Sequence, residues 1–170
     1  MIKTSLIVLA TLMASTSVYA QAPAAAPPPT RAKGPAVALA VEAAQSALAD
    51  CMSKTYKVTA LVVDSAGVPV AMMSQDGAAA RTQDIAKSKI ATVMKYKVAS
   101  GVIVERAKTD TALADALKAD PAIGQARQGA LPIMVMGEMI GAMAVSGAPG
   151  GDKDEACVMT GLAKVQARLM

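Results

Sequence analysis

The sequence contains no histidine, no phenylalanine and no tryptophan, and only three tyrosines among its 170 residues. Without histidine, a Ser-His-Asp or Cys-His arrangement for nucleophilic catalysis is excluded. Without large aromatic side chains, the hydrophobic core has to be built from Ala, Val, Ile, Leu and Met. Catalysis therefore has little support in the composition.

The excess of positive over negative charge is also small. The chain has 17 basic and 13 acidic residues, a formal net charge of +4. The basic residues form no clusters, so the charge pattern predicts a solvated surface and no nucleic-acid partner. Long apolar runs are missing as well. The run from Leu6 to Met13 is too short to cross a bilayer, which needs about 20 apolar residues.

The first 20 residues are typical of a secretory signal peptide. Lys3 precedes the apolar run, and a segment of small residues ends at Ala20, where cleavage is predicted. Residues 21–34 are dominated by Ala and Pro and are predicted to form an extended linker. The folded domain is expected over residues 35–170. The sequence therefore predicts an exported protein, periplasmic or secreted, without a membrane span after signal cleavage.

The chain has two cysteines, Cys51 and Cys157. An even number of cysteines in an oxidising compartment favours a disulfide. The first cysteine lies near the end of the first predicted helix and the second within the last, so a bridge would join the terminal helices. The alternative is two buried thiols that never meet, because the sequence does not define their geometry.

Hydrophobic periodicity and turn residues predict alternating helices and β-hairpins. Helices are predicted over residues 35–53, 81–100, 109–118 and 152–169, and strands over residues 57–64, 68–74, 131–136 and 139–146. Gly101 is expected to close the second helix, and Pro121 to stop the third. In the second hairpin, Gly137 followed by Glu138 favours a type II′ turn. This order of elements indicates an α+β domain with a mainly antiparallel sheet.

The segment IGAMAVSGAPGGDKDEAC, residues 140–157, joins an apolar strand to the last helix through a glycine-rich loop. It is not a phosphate-binding P-loop, because Lys153 is followed by Asp154 and not by Ser or Thr. A dinucleotide-binding fingerprint should follow the first strand of a βαβ unit, and this loop does not. The segment is therefore interpreted as a strand-to-helix turn whose acidic residues suit the positive end of a helix dipole. Free backbone amides there could hold an anion, although the nearby carboxylates argue against it.

This segment, extended through VMTGLAKV, resembles the C-terminal signature of the GlcG/HbpS-like family, also called the haem-degrading or DUF336 domain. GALPI before it, and ALVVDSAGVPVAMMSQDGA and DIAKSKIATVM further upstream, carry the same resemblance over nearly all of residues 35–170. The resemblance implies a profilin-like three-layer α/β/α fold with a central antiparallel sheet. It also implies symmetrical homo-oligomers and the binding of haem or another small molecule.

The resemblance makes four residues candidates for ligand binding, because they keep positions of the family pattern: Lys89, Asp76, Gly129 and Pro132. The chain departs from that pattern where the family has an arginine, here Ser74, and where it has a second glycine, here Ala130. Two structural alternatives remain open. Lys89 would then be a solvated lysine beside Lys87, and Asp76, like Asp64, would form a turn by bonding its own backbone.

Haem is the cofactor that the resemblance implies, and its iron would need a ligand other than histidine. Tyr56, Tyr96, the cysteines if reduced, and the methionines are the residues that remain. Tyr96 is a further candidate for ligand binding, with an ordinary surface role between Lys95 and Lys97 as the alternative. Methionines such as Met134 and Met136, two apart on one strand, could instead hold copper(I). Core packing is the favoured interpretation for these side chains, because a core without Phe or Trp needs adaptable fillers.

Three functions are thus compatible with the sequence. The favoured one is an exported protein that binds haem or another small ligand. The second is a homo-oligomeric accessory or scaffold protein without a ligand. The third is an enzyme that acts on a small molecule or degrades haem, whose turnover would depend on Lys89 or Asp76.

Overall fold

The computed structural model describes residues 32–169. The predicted signal peptide, residues 1–20, and the greater part of the predicted linker lie outside them. The described chain forms α1 (Val37–Ser53), β1 (Thr59–Asp64), β2 (Pro69–Ser74), α2 (Arg81–Tyr96), α3 (Ser100–Ala107), α4 (Thr111–Ala119), β3 (Ala130–Val135), β4 (Glu138–Ser146), α5 (Gly151–Val165) and a short 3-10 turn (Gln166–Arg168). None of the helices between residues 32 and 169 has the length and apolar character needed to cross a membrane.

The four strands form one antiparallel sheet in the order β2-β1-β4-β3. Successive side chains of a strand point to opposite faces, and the buried residues of β1 follow that rule. Ala60 and Val62 pack into the cluster beneath α1 and α5, whereas Leu61 and Val63 pack into the cluster beneath α2. Helices therefore cover both faces of the sheet. This is the three-layer α/β/α architecture with a central antiparallel sheet that the family resemblance implies.

The helices α1 and α5 pack side by side and are joined by a disulfide between Cys51 and Cys157, whose Cα atoms are 5.7 Å apart. The structure thus confirms the predicted bridge. Close packing of the two helices depends on Gly161 in α5, where an added Cβ would lie 2.5 Å from the carbonyl oxygen of Ala43 and 3.0 Å from Cβ of Ala47. The first and last helices therefore form one covalently joined layer on the sheet.

On the other face, the second helix is shorter than predicted. It ends at Tyr96, and Lys97 adopts a left-handed conformation with φ 59°. A separate helix, α3, then begins at Ser100, so Gly101 lies inside a helix and does not close one. The physical reason is tertiary, because an added Cβ at Gly101 would lie 3.0 Å from the side chain of Gln128. The glycine therefore serves a close approach of chain segments rather than a helix end.

The second hairpin also differs from the prediction in its turn. Val135 pairs with Glu138, so the two turn residues are Met136 and Gly137. Both have positive φ, 48° and 83°, which is typical of a type I′ turn and not of the predicted type II′ turn. The first turn is as expected: the Asp64 carboxylate accepts hydrogen bonds from the backbone amides of Ala66 and Val68, each 2.9 Å long.

The methionines divide between the core and the surface. Met143, on the central strand β4, is fully buried, as the core-packing interpretation requires. Met72 and Met134 are exposed because β2 and β3 are the edge strands of the sheet, and Met136 is exposed in the turn between β3 and β4. Core packing is therefore wrong for these three side chains.

Candidate functional site

A cleft of about 740 Å³ opens between the loop that follows β4 and the first two turns of α2. Its lining includes Gly147, Ala148, Gly150 and Gly151, from that loop and the start of α5, together with residues 126–128, which precede β3. The glycine-rich segment is the strand-to-helix connection that the sequence predicts. The volume of the cleft is within the range of roughly 300–1,000 Å³ that is usual for small-ligand pockets.

A buried ion pair lies at the base of the cleft. Lys89 of α2 is 1% exposed, and its Nζ donates a hydrogen bond of 2.6 Å to the Asp154 carboxylate and one of 2.7 Å to the carbonyl oxygen of Val145. The other carboxylate oxygen of Asp154 accepts a 2.9 Å hydrogen bond from the backbone amide of Ala148. The pair therefore ties α2 to β4, to the glycine-rich loop and to α5. The alternative of a solvated lysine is wrong for Lys89.

Burial is the larger influence on the ionisation of both partners. It lowers the pKa of Lys89 and raises the pKa of Asp154, and in each case the opposite charge of the partner opposes the shift. The charged pair is thus held where water is excluded, and each group depends on the other for its charge to be tolerated.

Gly129 is buried and lies directly against both residues of this pair. Its φ of +117° is a conformation that L side chains rarely adopt, and an added Cβ would lie 2.6 Å from Nζ of Lys89 and 2.7 Å from Cβ of Asp154. The structure therefore brings together two of the residues nominated from the sequence, Lys89 and Gly129, with Asp154 as the third member.

We expect the substitution Gly129→Ala to destabilise the protein by at least about 1–3 kcal/mol, the usual effect of overpacking a core. Urea unfolding followed by circular dichroism measures the change. Gly124→Ala is the matched control, because Gly124 also has positive φ, +59°, but has no atom within 4 Å of an added Cβ. Equal losses in the two variants would show that backbone conformation, and not contact with the ion pair, is responsible.

Three cationic side chains surround the cleft: Lys57, Arg81 and Arg127. None of them forms a salt bridge within residues 32–169. The guanidinium of Arg127 is oriented by Gln125, to whose backbone and side-chain oxygens it donates hydrogen bonds of 3.1 and 2.8 Å. Asp152 is the carboxylate beside these cations.

Backbone amides add further donors to the same cleft. Gly150 and Gly151 line it at the start of α5, where the first amides of a helix have no acceptor within the helix. Gly147, with φ +132°, lies so close to Lys57 that an added Cβ would collide with the Lys57 carbonyl oxygen. The glycines therefore allow close packing of the loop against neighbouring chain segments. The helix N-terminus favours a negatively charged ligand, whereas the carboxylates of Asp152 and Asp154 in the first turn of α5 oppose one.

The other nominated residues lie elsewhere. Asp76 is exposed in the turn after β2, next to Gly77, which does line the cleft. Tyr96 packs beneath α3 and α4 against the cluster of Ile103, away from the cleft. Pro132 lies on the edge strand β3 opposite Ala142. The binding roles of all five nominated residues stay predictions.

Several residues of the cleft were not nominated from the sequence. By sequence, Asp154 belongs to the acidic start of the last helix, and neither Arg81 nor Arg127 lies in a recognisable motif. A signal for Asp154 did exist, since a lysine placed on the apolar side of a helix is almost never fully buried without a partner. Only the fold identifies which carboxylate that partner is.

Comparisons with known proteins agree with this architecture. The sequence pattern of the family described as "Haem degrading protein HbpS-like" matches residues 36–163. A crystal structure of a double mutant of HbpS from Streptomyces reticuli is similar, with a TM-score of 0.72 and 28% identity over 86% of this chain and 98% of that one. No protein with curated annotation matches the sequence.

Two further crystal structures share the fold at lower identity. Protein ORFY of Klebsiella pneumoniae, assigned to DUF336, has a TM-score of 0.69 and 20% identity over 81% of this chain and 94% of that one. The structure described as a PduOC:Heme complex has a TM-score of 0.69 and 17% identity over 75% of this chain and 92% of that one. With the family pattern matched over most of the domain, the chain belongs to the HbpS-like family.

Proposed function

We propose that this chain is an exported binding protein for a small anionic ligand, with haem as the first candidate. The family description refers to haem, and a protein of the same fold has been crystallised as a haem complex. Export is supported by the N-terminal sequence and by the disulfide between Cys51 and Cys157, since such bonds persist in oxidising compartments.

The observation that carries the proposal is the set of unpaired cations around the cleft. Arginine donates paired hydrogen bonds in a planar fork that matches a carboxylate, and Arg81 and Arg127 form no salt bridge within the described residues. The amides at the start of α5 complement them. The cleft is thus suited to a ligand that presents carboxylates, as haem does through its two propionates.

The fit to haem is incomplete at the iron. Haem iron is commonly held by His, Met, Cys thiolate or Tyr, and none of the described residues that line the cleft is of these types. Both cysteines are engaged in the disulfide, and Tyr96 lies in a different cluster. The cleft residues therefore suit the carboxylates of haem but supply no ligand of the usual kind to its metal.

Binding is favoured over catalysis by the position of Lys89. Its Nζ is directed to Asp154 and to the carbonyl oxygen of Val145, so the amine is engaged in holding the cleft together. Asp76, the other residue considered for turnover, is exposed in a turn. We infer that Lys89 acts as a positioning residue for the glycine-rich loop, while the cations at the rim contact the ligand.

The test uses protein recovered from the periplasm. Mass spectrometry first locates its N-terminus, which we expect at Gln21. Haem is then titrated into the protein, and binding is followed at the Soret band. We expect a shifted, saturable band. Arg81→Gln should raise the dissociation constant about tenfold or more, because a hydrogen bond to a charged group contributes about 1.5–3 kcal/mol.

Arg106→Gln is the matched control for this titration. Arg106 is an exposed arginine of α3 that does not line the cleft and forms no salt bridge within residues 32–169. Its replacement should leave the dissociation constant unchanged. A spectrum identical to free haem would contradict haem binding, and equal constants for the two variants would exclude Arg81 from the site.

A further inference from the structure

The charges that line the cleft do not balance. The lining side chains carry four positive and two negative charges, from Lys57, Arg81, Lys89 and Arg127 and from Asp152 and Asp154. Lys89 and Asp154 are paired with each other. The remaining three cations face a single carboxylate, which leaves an excess of two positive charges. A ligand with two negative charges would neutralise this excess.

The uncharged part of the lining suits a flat apolar body between these charges. Ile85 of α2, Val104 of α3 and Ala126 contribute apolar side chains. Gly147 and Ala148 also belong to the lining, and neither has a side chain larger than a methyl group. The long side chains of the lining, such as Arg81, Arg127 and Gln128, are charged or carry an amide, so a ring system would lie against Ile85, Val104 and Ala126.

From this charge balance and this lining, we infer that the cleft recognises its ligand through two carboxylates and not through a metal. A metal-free porphyrin with the two propionates of haem then binds as tightly as haem itself. The inference rests on the proposed function, because it concerns the same cleft and specifies the class of ligand as a planar dicarboxylate. The inference adds that the iron of haem contributes nothing to the affinity.

Three probes separate the contributions of the carboxylates and the metal. They are haem, metal-free protoporphyrin IX, and a metal-free porphyrin that carries cationic pyridinium groups in place of the carboxylates. Protoporphyrin fluorescence reports binding directly, and haem is measured by its displacement of bound protoporphyrin. The first two probes should have dissociation constants within about threefold of each other. The cationic porphyrin should show no saturable binding.

A double variant, Arg81→Gln with Arg127→Gln, tests the residues that carry the inference. It should weaken haem and metal-free protoporphyrin by the same factor, about tenfold or more, while the Arg106→Gln control leaves both unchanged. An equal effect on the two probes shows that both lose the same carboxylate contacts. Whether iron is ligated is decided by the difference between the dissociation constants of haem and protoporphyrin in the unchanged protein.

The outcomes distinguish the inference from the proposed function. Binding of haem together with at least tenfold weaker binding of protoporphyrin would overturn the inference and leave the proposed function intact. Saturable binding of the cationic porphyrin would overturn it as well, since apolar contact alone would then suffice. If neither haem nor protoporphyrin binds, the proposed function fails for haem and the inference fails with it.

Discussion

Replacing Lys89 with methionine should lower the free energy of unfolding by about 3–5 kcal/mol, the usual loss when one partner of a buried ion pair is removed. Methionine fills a similar volume but leaves the carboxylate of Asp154 buried without its counter-charge. Asp154 also accepts the backbone amide of Ala148, so the glycine-rich loop should loosen as well. Urea unfolding measures the stability, and the haem titration should show weaker binding.

Two controls identify the cause of that loss. Lys87→Met changes an exposed lysine two positions away, whose salt bridge with Asp84 is solvent-exposed, and should alter stability by less than about 0.5 kcal/mol. The double variant Lys89→Met with Asp154→Asn removes both buried charges and keeps an acceptor for the Ala148 amide. It should recover at least half of the loss, because burial opposes the ionisation of both partners. A double variant no more stable than Lys89→Met would contradict this account.

Reduction of the disulfide should be the other large effect, at about 4–5 kcal/mol of unfolding free energy. In the chain-entropy account, a bridge stabilises by restricting the unfolded chain, and the effect grows with the length of the closed loop. Cys51 and Cys157 are 106 residues apart in sequence. The stabilisation expected from this bridge is therefore near the upper end of the range for disulfides. The urea midpoint of the reduced protein is therefore expected well below that of the oxidised protein.

The variant Cys51→Ala with Cys157→Ala separates the bridge from the packing of its sulfur atoms. Both cysteines are fully buried, so alanine also removes some core volume. The variant should resemble the reduced protein in stability and should not respond to reductant. Oxidised and reduced proteins with the same midpoint would show that the bridge contributes nothing to the free energy of unfolding.

The order of helices and strands could be predicted because most of its signals are local. The continuous apolar run of β1 and the Asp64 turn each involve only a few neighbouring positions. The break after Tyr96 had no such signal, because Lys97 is not a residue that commonly adopts positive φ. The prediction that Gly101 closes the second helix is wrong for a related reason. The side chains that require a glycine there, Gln128 and Glu155, are distant in sequence.

The candidate site could be predicted only in part. Lys89 and Gly129 came from the family resemblance, and the fold places them in contact. Asp154 lies 65 residues from Lys89 in sequence, and only the layering of α2 and α5 around the sheet brings the two together. Arg81 and Arg127 are ordinary surface arginines by sequence, and their shared position at one cleft is a property of the fold.

The covalent link between the first and last helices also determines how the protein would respond to proteolysis. A peptide bond cut between Cys51 and Cys157, for example at the exposed residues Pro121 and Ala122, leaves both fragments attached through the bridge. The nicked chain would migrate as a single species until a reductant is added. With respect to proteolysis, residues 51–157 therefore form a covalently closed loop, and the chain continues from it at both ends.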